Sequence, residues 1–530
     1  MEIIEESGFC PSNSIYYSKW DPPSLPQDPS LSLPTFLLSQ STHPSKPAYI
    51  DSKSGHTITY GRLQTLASSV ASTLINLGIK KGDVVLLVSR NSLQYPLLVL
   101  GIMSAGAIFS TANPLNTREE IQTQVQDSKP KLIITTRDLQ PKLDGLVSKP
   151  LLFVGELGLA CGATCKPVHV LQGDPAALMY SSGTTGKSKA VVSTHRNLIA
   201  MSCLLRHAWG AAEEEIVDMC VVPMCHMFGF SVFVMGALAA GSTVVVMERY
   251  AVEEVFEAVE KHRVSRIPAV PPMVIQMGRS RDVVRGYDVG SLKELVCSGA
   301  PIAREHLERF TECLPQVTVT QCYGLTETSG PITLCDGVKR RFHVSIGRLI
   351  PSMEAKIVDT RTGKALPPGR SGELWVRGPS IMQGYLEKPE ATALVLNEEG
   401  WLHTGDLCFV DSRGFIYIVD RIKELIKYKA YQVAPAELEE ILSTHTEVND
   451  VAVIPHPDEE TGEIPMACVV RKAGSKIKED DIISFMEDKV APYKKIRKVI
   501  FVNHIPRSPS GKILRRYLKP QQQLQIFPRM

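Results

Sequence analysis

Residues 84–88 (VVLLV) are continuously apolar. They follow a helix-spaced apolar pattern at 63–77, closed by Gly78, and precede an apolar helix at about 95–105. The arrangement repeats where a helix-like segment at 121–128 is followed by Pro130 and the strand-like 131–135 (KLIIT). A strand with no polar alternation needs cover on both faces, and the intervening helices supply it. Such a chain is expected to be α/β, with doubly covered, mostly parallel sheets. The alternation returns as a helix at 252–262, a strand at 292–297 and a helix at 303–313. The stretch 227–247 has near-membrane length, but Ser231, Gly241-Ser242 and Thr243 interrupt it, so it reads as a buried helix followed by a buried strand.

From about Ile346 short strands separated by turns take over, at 355–358, 372–377 and 414–420, which predicts a small β-rich subdomain at the end of the body. Beyond Asp420 a lysine-rich segment, RIKELIKYKAYQV, leads to a helix opened by Pro435, a strand at 451–454, a helix at 480–487 and a strand at 498–502. These make a compact α+β module. A chain of 530 residues exceeds the usual single domain, and the expected division is a large domain at 1–420 and a small, mobile C-terminal lid at 421–530.

A formal charge of +2, with 22% charged residues, provides no basic field for nucleic acid or a membrane surface. Partners are therefore sought in local sites. The twelve cysteines include no C-x-x-C pair, and Cys161 with Cys165 lacks the companions of a zinc site, so reduced thiols are expected. The acidic start, MEIIEESGFC, is not that of a secretory signal, and an intracellular protein follows. Pro528-Arg529-Met530 partly matches the S-K-L class of peroxisomal address, leaving cytoplasm and peroxisome both open.

The chemistry concentrates at Tyr180 to Asn197, YSSGTTGKSKAVVSTHRN. Glycines let backbone N–H groups turn toward an anion, hydroxyls donate further hydrogen bonds, and lysines add charge, which together suit a polyphosphate cradle. Gly186-Lys187-Ser188 also supplies the second half of a P-loop, but the position of that motif's first Gly is Ser181.

The segment resembles the YTSGTTGxPKG signature of the AMP-forming adenylating enzymes, with Ser188 and Ala190 in place of its Pro and Gly and Lys189 as its final lysine. The resemblance implies that Ser181, Ser182, Gly183, Thr184, Thr185, Gly186 and Lys189 bind ATP. Further motifs follow in the family's order. Gln321-Cys322-Tyr323-Gly324-Leu325-Thr326-Glu327 looks like QxYGxTE, which implies the Tyr323 ring near adenine, Thr326 on phosphate and Glu327 on Mg²⁺. A carboxylate is a suitable ligand for the hard cation that offsets triphosphate charge. Ser298-Gly299-Ala300-Pro301 looks like the turn between the acid pocket and the adenine site. Trp401 to Asp406 resembles WxxTGD, whose Asp accepts from both ribose hydroxyls, and Arg421 matches the second ribose-side residue.

Pro506 to Lys512 resembles PxxxxGK, which delivers Lys512 to the adenylating centre, where a cation stabilises charge as carboxylate attacks the α-phosphorus. Lys427 resembles the lysine that faces the site in the second half-reaction, after the small domain rotates near residues 420–423. Lys429 and Ala430 fall at the CoA channel, where many members have Gly in place of Ala430.

Pro223 to Gly229 resembles PxFH, placing His226 beside the acid pocket and the CoA route. Over its length the chain looks most like the plant 4-coumarate:CoA ligase and 4-coumarate:CoA ligase-like branch, for instance in LIKYKAYQVAPAELEE. Phenolic-acid members often carry a tyrosine and a lysine where this chain has Phe228 and Val296, and a buried ring hydroxyl without a partner costs about 1 to 3 kcal/mol. The expected activity is an ATP-dependent, AMP-forming acid:CoA ligase using Mg²⁺ and CoA. Its expected acid is cinnamate-like, or a medium-chain, branched or cyclopentanone aliphatic acid, and its expected state is a monomer. Two alternatives share the nucleotide motifs: a luciferase-like oxygenase, and a paralogue that makes adenylate without thioester.

Overall fold

A computed structural model describes residues 5–40, 43–147, 151–156, 168–181, 188–209, 215–335, 342–429, 431–458, 461–487, 489–508 and 511–518. The expected helix over 63–77 is Tyr60–Asn76, begun by Thr59, whose side chain accepts the Arg62 N–H. It packs on the helix Gln94–Ser104 so closely that a Cβ on Gly101 would lie 2.4 Å from Val70 Cγ1. Between them in sequence lies the strand Val84–Val88, an interior strand of a seven-stranded sheet. Its neighbours Ile108–Thr111 and Leu132–Thr135 both run parallel to it. This is the doubly covered parallel sheet that the apolar runs imply.

A nine-stranded sheet forms the other half of the body, with parallel pairing through Thr318–Leu325, Glu294–Cys297, Arg266–Ala269, Val217–Cys220, Thr243–Val246 and Pro47–Asp51. One continuous core joins the two sheets. The apolar stretch 227–247 is indeed buried helix then strand, but Phe230–Gly236 takes the wider π form before Ala237–Ala240. No helix among the described residues is long and apolar enough to cross a membrane.

The β-rich part is a six-stranded antiparallel sheet. It contains Glu354–Val358, Gly372–Arg377, Leu402–Val410 and Ile416–Arg421, and also two N-terminal strands that the sequence did not signal, Phe9–Cys10 and Ile15–Tyr17. At two and three residues they are too short to carry a readable period. Tyr16 anchors them, buried, with its hydroxyl donating to the Leu366 carbonyl.

The small C-terminal domain has a five-stranded sheet of its own and separate apolar clusters on its two faces. The strand expected at 451–454 extends over Val448–Asp458, because its hairpin partner Gly462–Arg471 continues the ladder past Pro455. Asp420, on the last strand of the body, accepts the Ala436 N–H at 2.9 Å and so caps the helix Pro435–Ser443 of the small domain. Within the small domain Arg515 lies 3.0 Å from both Glu424 and Glu439, which fastens the segment just after Asp420 to the same helix. No disulfide links the described cysteines.

Candidate active site

The strands Pro175–Ser181 and Lys189–Thr194 pair antiparallel with Ser181 opposite Lys189, so the two ends of the glycine- and hydroxyl-rich segment meet at one point. Both residues line a cavity of about 550 Å³ between the body and the small domain. Ser182, Gly183, Thr184, Thr185 and Gly186 lie outside the described residues.

Parallel pairing of Glu294–Cys297 with Thr318–Leu325 sets Cys297 beside Gln321, so the Ser298-Gly299 turn emerges next to the QCYGLTE segment. Ser298 Oγ donates to the Cys322 carbonyl at 2.8 Å. Gly299, at φ +90°, and Gly324 both face the cavity. Gly324 admits no side chain, since a Cβ there would lie 2.2 Å from the Gly330 carbonyl oxygen. Thr326 and Glu327 follow on the cavity wall, while Ala300 and Pro301 do not line it.

Two residues of the motif face elsewhere. The Gln321 amide donates to the carbonyls of His343 and Ser345, at 2.7 and 3.2 Å, and so is committed to holding that segment. Tyr323 is buried, and its hydroxyl donates to Asp406 Oδ2 at 2.5 Å. Antiparallel pairing places Asp406 opposite Arg421, with 3.4 Å between Oδ1 and Nε. Burial pushes the Asp406 carboxyl up, while Arg421, the Tyr323 hydrogen bond and Lys512 pull it down.

Lys512 reaches the cavity from the small domain. Its loop is tied by Ser508 N–H to the Lys512 carbonyl at 2.8 Å, and it docks on the body at Pro272, where a Cβ on Gly511 would approach Cδ to 2.6 Å. Desolvation first, then repulsion by Arg421, lowers the Lys512 pKa to about 8, against the pull of Glu424, Asp406 and Glu327. His226 lines the same cavity. Its ring is open to the cavity but deep within it, and desolvation, with Lys512 adding, holds its pKa below the usual histidine range.

Phe228 lines the cavity with Met227 and Pro331. Val296 does not, which corrects the expectation from sequence. It is fully buried in the interior of the nine-stranded sheet, between Pro268 and Thr320, and the chain reaches the cavity only beyond the strand end, at Ser298. Lys427 and Lys429 are exposed on the small domain and off the cavity wall. The Lys427 N–H donates to Glu463, and Lys429 has a left-handed backbone, φ +52°. Ala430 is outside the described residues. The structure therefore assembles the Lys512 set of residues and not the Lys427 set.

Among the wall residues not singled out from the sequence, three make specific side-chain contacts. Tyr385 donates to Glu327 Oε1 at 2.9 Å. Glu373 accepts the Gly405 N–H at 3.1 Å and the Trp375 indole N–H at 2.9 Å, bracing the TGD turn. His403 stacks on Trp375 at 3.8 Å between ring centroids. Only His403 falls inside a quoted motif; the other two are assembled by sheet pairing.

No group of three or more His, Cys, Asp or Glu side chains suited to a metal occurs among the described residues. One carboxylate, Glu327, facing a cavity of whole-ligand size fits Mg²⁺, which is commonly held by one or two carboxylates together with substrate phosphates.

A sequence profile described as AMP-binding enzyme matches residues 38–386, and one described as AMP-binding enzyme C-terminal domain matches residues 437–512. The chain belongs to the AMP-binding enzyme family. Two relatives within it extend over the full length. A probable CoA ligase from Humulus lupulus is 47% identical, covering 97% of both chains. Peroxisomal OPC-8:0-CoA ligase 1 from Arabidopsis thaliana is also 47% identical, covering 97% of this chain and 98% of that one.

Among solved structures of the family, ATP-bound MatB from Rhodopseudomonas palustris superposes with a TM-score of 0.86 at 25% identity, over 93% of this chain and all of the other. The o-succinylbenzoate CoA synthetase of Bacillus subtilis, in complex with its acyl-adenylate intermediate, superposes with a TM-score of 0.81 at 26% identity, over 91% and 97%. The two-domain architecture and the acid–thiol ligase class expected from the sequence are both those of the family.

Proposed function

We propose that the cavity adenylates a carboxylic acid with ATP and, after rotation of the small domain, passes the acyl group to CoA. In the first step a carboxylate oxygen attacks the α-phosphorus, the bond to the bridging oxygen breaks, and pyrophosphate leaves. In the second the CoA sulfur attacks the acyl carbon, AMP leaves, and the thiol proton is released. The placement of Lys512 carries this reading: it converges with Glu327, Arg421 and His226 on one cavity, and its charge acts on Asp406, which is buried against Arg421. A cation there lowers the energy of the transition state where the new bond forms. Asp406 and Arg421 would hold the ribose, and Mg²⁺, bound by Glu327 and the phosphates, would neutralise the leaving group.

Asp420 is the last residue of the large unit in this reading, and 421–530 the lid that turns. Lys427, Lys429 and Ala430 belong to the second orientation. The chain acts as a monomer, and the name of the Arabidopsis relative supports a peroxisomal setting.

The acid is sparingly hydroxylated: cinnamate-like, or a medium-chain, branched or cyclopentanone aliphatic acid. This rests on Phe228, with Met227 and Pro331, on the acid side of the cavity. A screen of phenylpropanoid, aliphatic and cyclopentanone acids, scoring AMP and acyl-CoA, tests it. Highest kcat/KM with 4-coumarate or caffeate would sink the apolar pocket, and ADP as product would sink adenylation.

A further inference from the structure

We propose that Tyr385 is a positioning residue of the adenylation step, fixing Glu327 through its hydroxyl and Lys189 through its ring. The proposal rests on the reading of Glu327 as the Mg²⁺ ligand.

Tyr385 closes the two-residue strand Gly384–Tyr385, which pairs antiparallel with Lys189–Thr194 so that Tyr385 sits opposite Val191. Residues 189 and 191 of that strand share a face, which sets Lys189 diagonally across from the tyrosine. Its Nζ lies 4.7 Å from the ring centroid, inside the range in which an aromatic face attracts an ammonium. No ion pair to Lys189 is found among the described residues, so the ring is the contact that orients this cation. The phenol hydroxyl meanwhile donates to Glu327 Oε1 at 2.9 Å.

The backbone around Tyr385 is tied to both partners' segments. Met382 N–H donates to the Glu327 carbonyl, Gln383 N–H to the Val192 carbonyl and Leu386 N–H to the Ala190 carbonyl, each at 2.9 Å. Tyr385 N–H donates to Thr392 Oγ1, also at 2.9 Å. Burial and the nearby Glu327 hold the phenol above its ordinary pKa, so it remains a donor.

One tyrosine thus links the cation at the end of the phosphate loop to the carboxylate offered to Mg²⁺. With one oxygen committed to the phenol, Glu327 is restricted in rotation and presents its second oxygen in one direction. A cation that depends on a single protein carboxylate is sensitive to such outer contacts. A purely packing role for Tyr385, whose ring is nearly buried, would make no demand on its hydroxyl.

The test compares Tyr385→Phe, Tyr385→Leu and Glu327→Gln. Mn²⁺ binding is followed by electron paramagnetic resonance in the presence of α,β-methylene ATP. Acid-dependent ATP–pyrophosphate exchange is measured against Mg²⁺, and acyl transfer to CoA is measured from synthetic acyl-adenylate. Tyr385→Phe is expected to weaken Mn²⁺ about tenfold and to raise the Mg²⁺ needed for half-maximal exchange in step, with the loss confined to adenylation. Tyr385→Leu, which also removes the ring, is expected to raise the KM for ATP beyond that of Tyr385→Phe.

Unchanged Mn²⁺ affinity in Tyr385→Phe, with weakened affinity in Glu327→Gln, would overturn the hydroxyl's part alone. Equal loss of both half-reactions in Tyr385→Phe would reduce the residue to packing. Equal KM in the Phe and Leu variants would remove the ring's part. Unchanged Mn²⁺ affinity in Glu327→Gln would overturn the reading of Glu327 itself.

Discussion

Tyr323 donates its hydroxyl to Asp406 at 2.5 Å, and Arg421 approaches the other carboxylate oxygen at 3.4 Å. The residue expected beside adenine and the one expected on ribose are therefore joined directly to each other. A hydrogen bond to a charged group contributes about 1.5–3 kcal/mol. Tyr323→Phe is expected to raise the KM for ATP about tenfold or more with a smaller change in kcat, and Asp406→Asn to raise it further. Steady-state kinetics at saturating acid distinguish the two parameters.

Lys512 supplies a pH dependence. Its pKa is lowered to about 8, and in the proposed mechanism the protonated form is the one that would bridge carboxylate and phosphate. In the free enzyme kcat/KM for ATP is therefore expected to be full below that value and to fall as pH rises through it. Lys512→Arg, whose charge persists well above pH 10, is expected to lose that alkaline limb at a reduced maximal rate. Exchange rates measured from pH 6 to 10 give both profiles.

Two glycines separate stability from chemistry. Gly101 allows the contact with Val70, and neither residue lines the cavity, so Gly101→Ala is expected to cost about 1–3 kcal/mol by overpacking and to leave both KM values unchanged. At Gly324 the obstructing atom is a backbone carbonyl, which cannot rotate away. Gly324→Ala is expected to displace the Thr326-Glu327 segment and abolish exchange as well as lower the melting temperature. Thermal denaturation alongside kinetics makes the comparison.

The proposed acid pocket yields a paired expectation. Phe228→Tyr supplies a hydroxyl where the wall is apolar, and should improve kcat/KM for 4-coumarate relative to cinnamate by about tenfold, the value of roughly one hydrogen bond. Val296→Ala, inside the sheet, should lower stability by about 0.5–3 kcal/mol and leave the order of acids unchanged. A change in acid order with Val296→Ala would restore that residue to the pocket.

Much of this arrangement was legible in the sequence, for physical reasons that differ by residue. The strand Val84–Val88 announced a covered parallel sheet because five apolar residues in a row have no solvent face. Ser181, Gly324, Glu327 and Lys512 lie in short motifs whose chemistry is local, and all four reach the cavity. Tyr385 and Glu373 act through partners 58 and 32 residues away, so no local pattern marks them. Val296 was misplaced because a position in register with a family pocket residue says nothing about whether the strand has ended. The strand ends at Cys297, and the wall begins at Ser298.

Acid-dependent exchange of labelled pyrophosphate into ATP, without CoA, tests the adenylating role of the cavity most directly. Exchange in the unmodified protein, falling about 10²–10³-fold in Lys512→Ala, is the expected result. Exchange that requires CoA, or that survives Lys512→Ala undiminished, would contradict it.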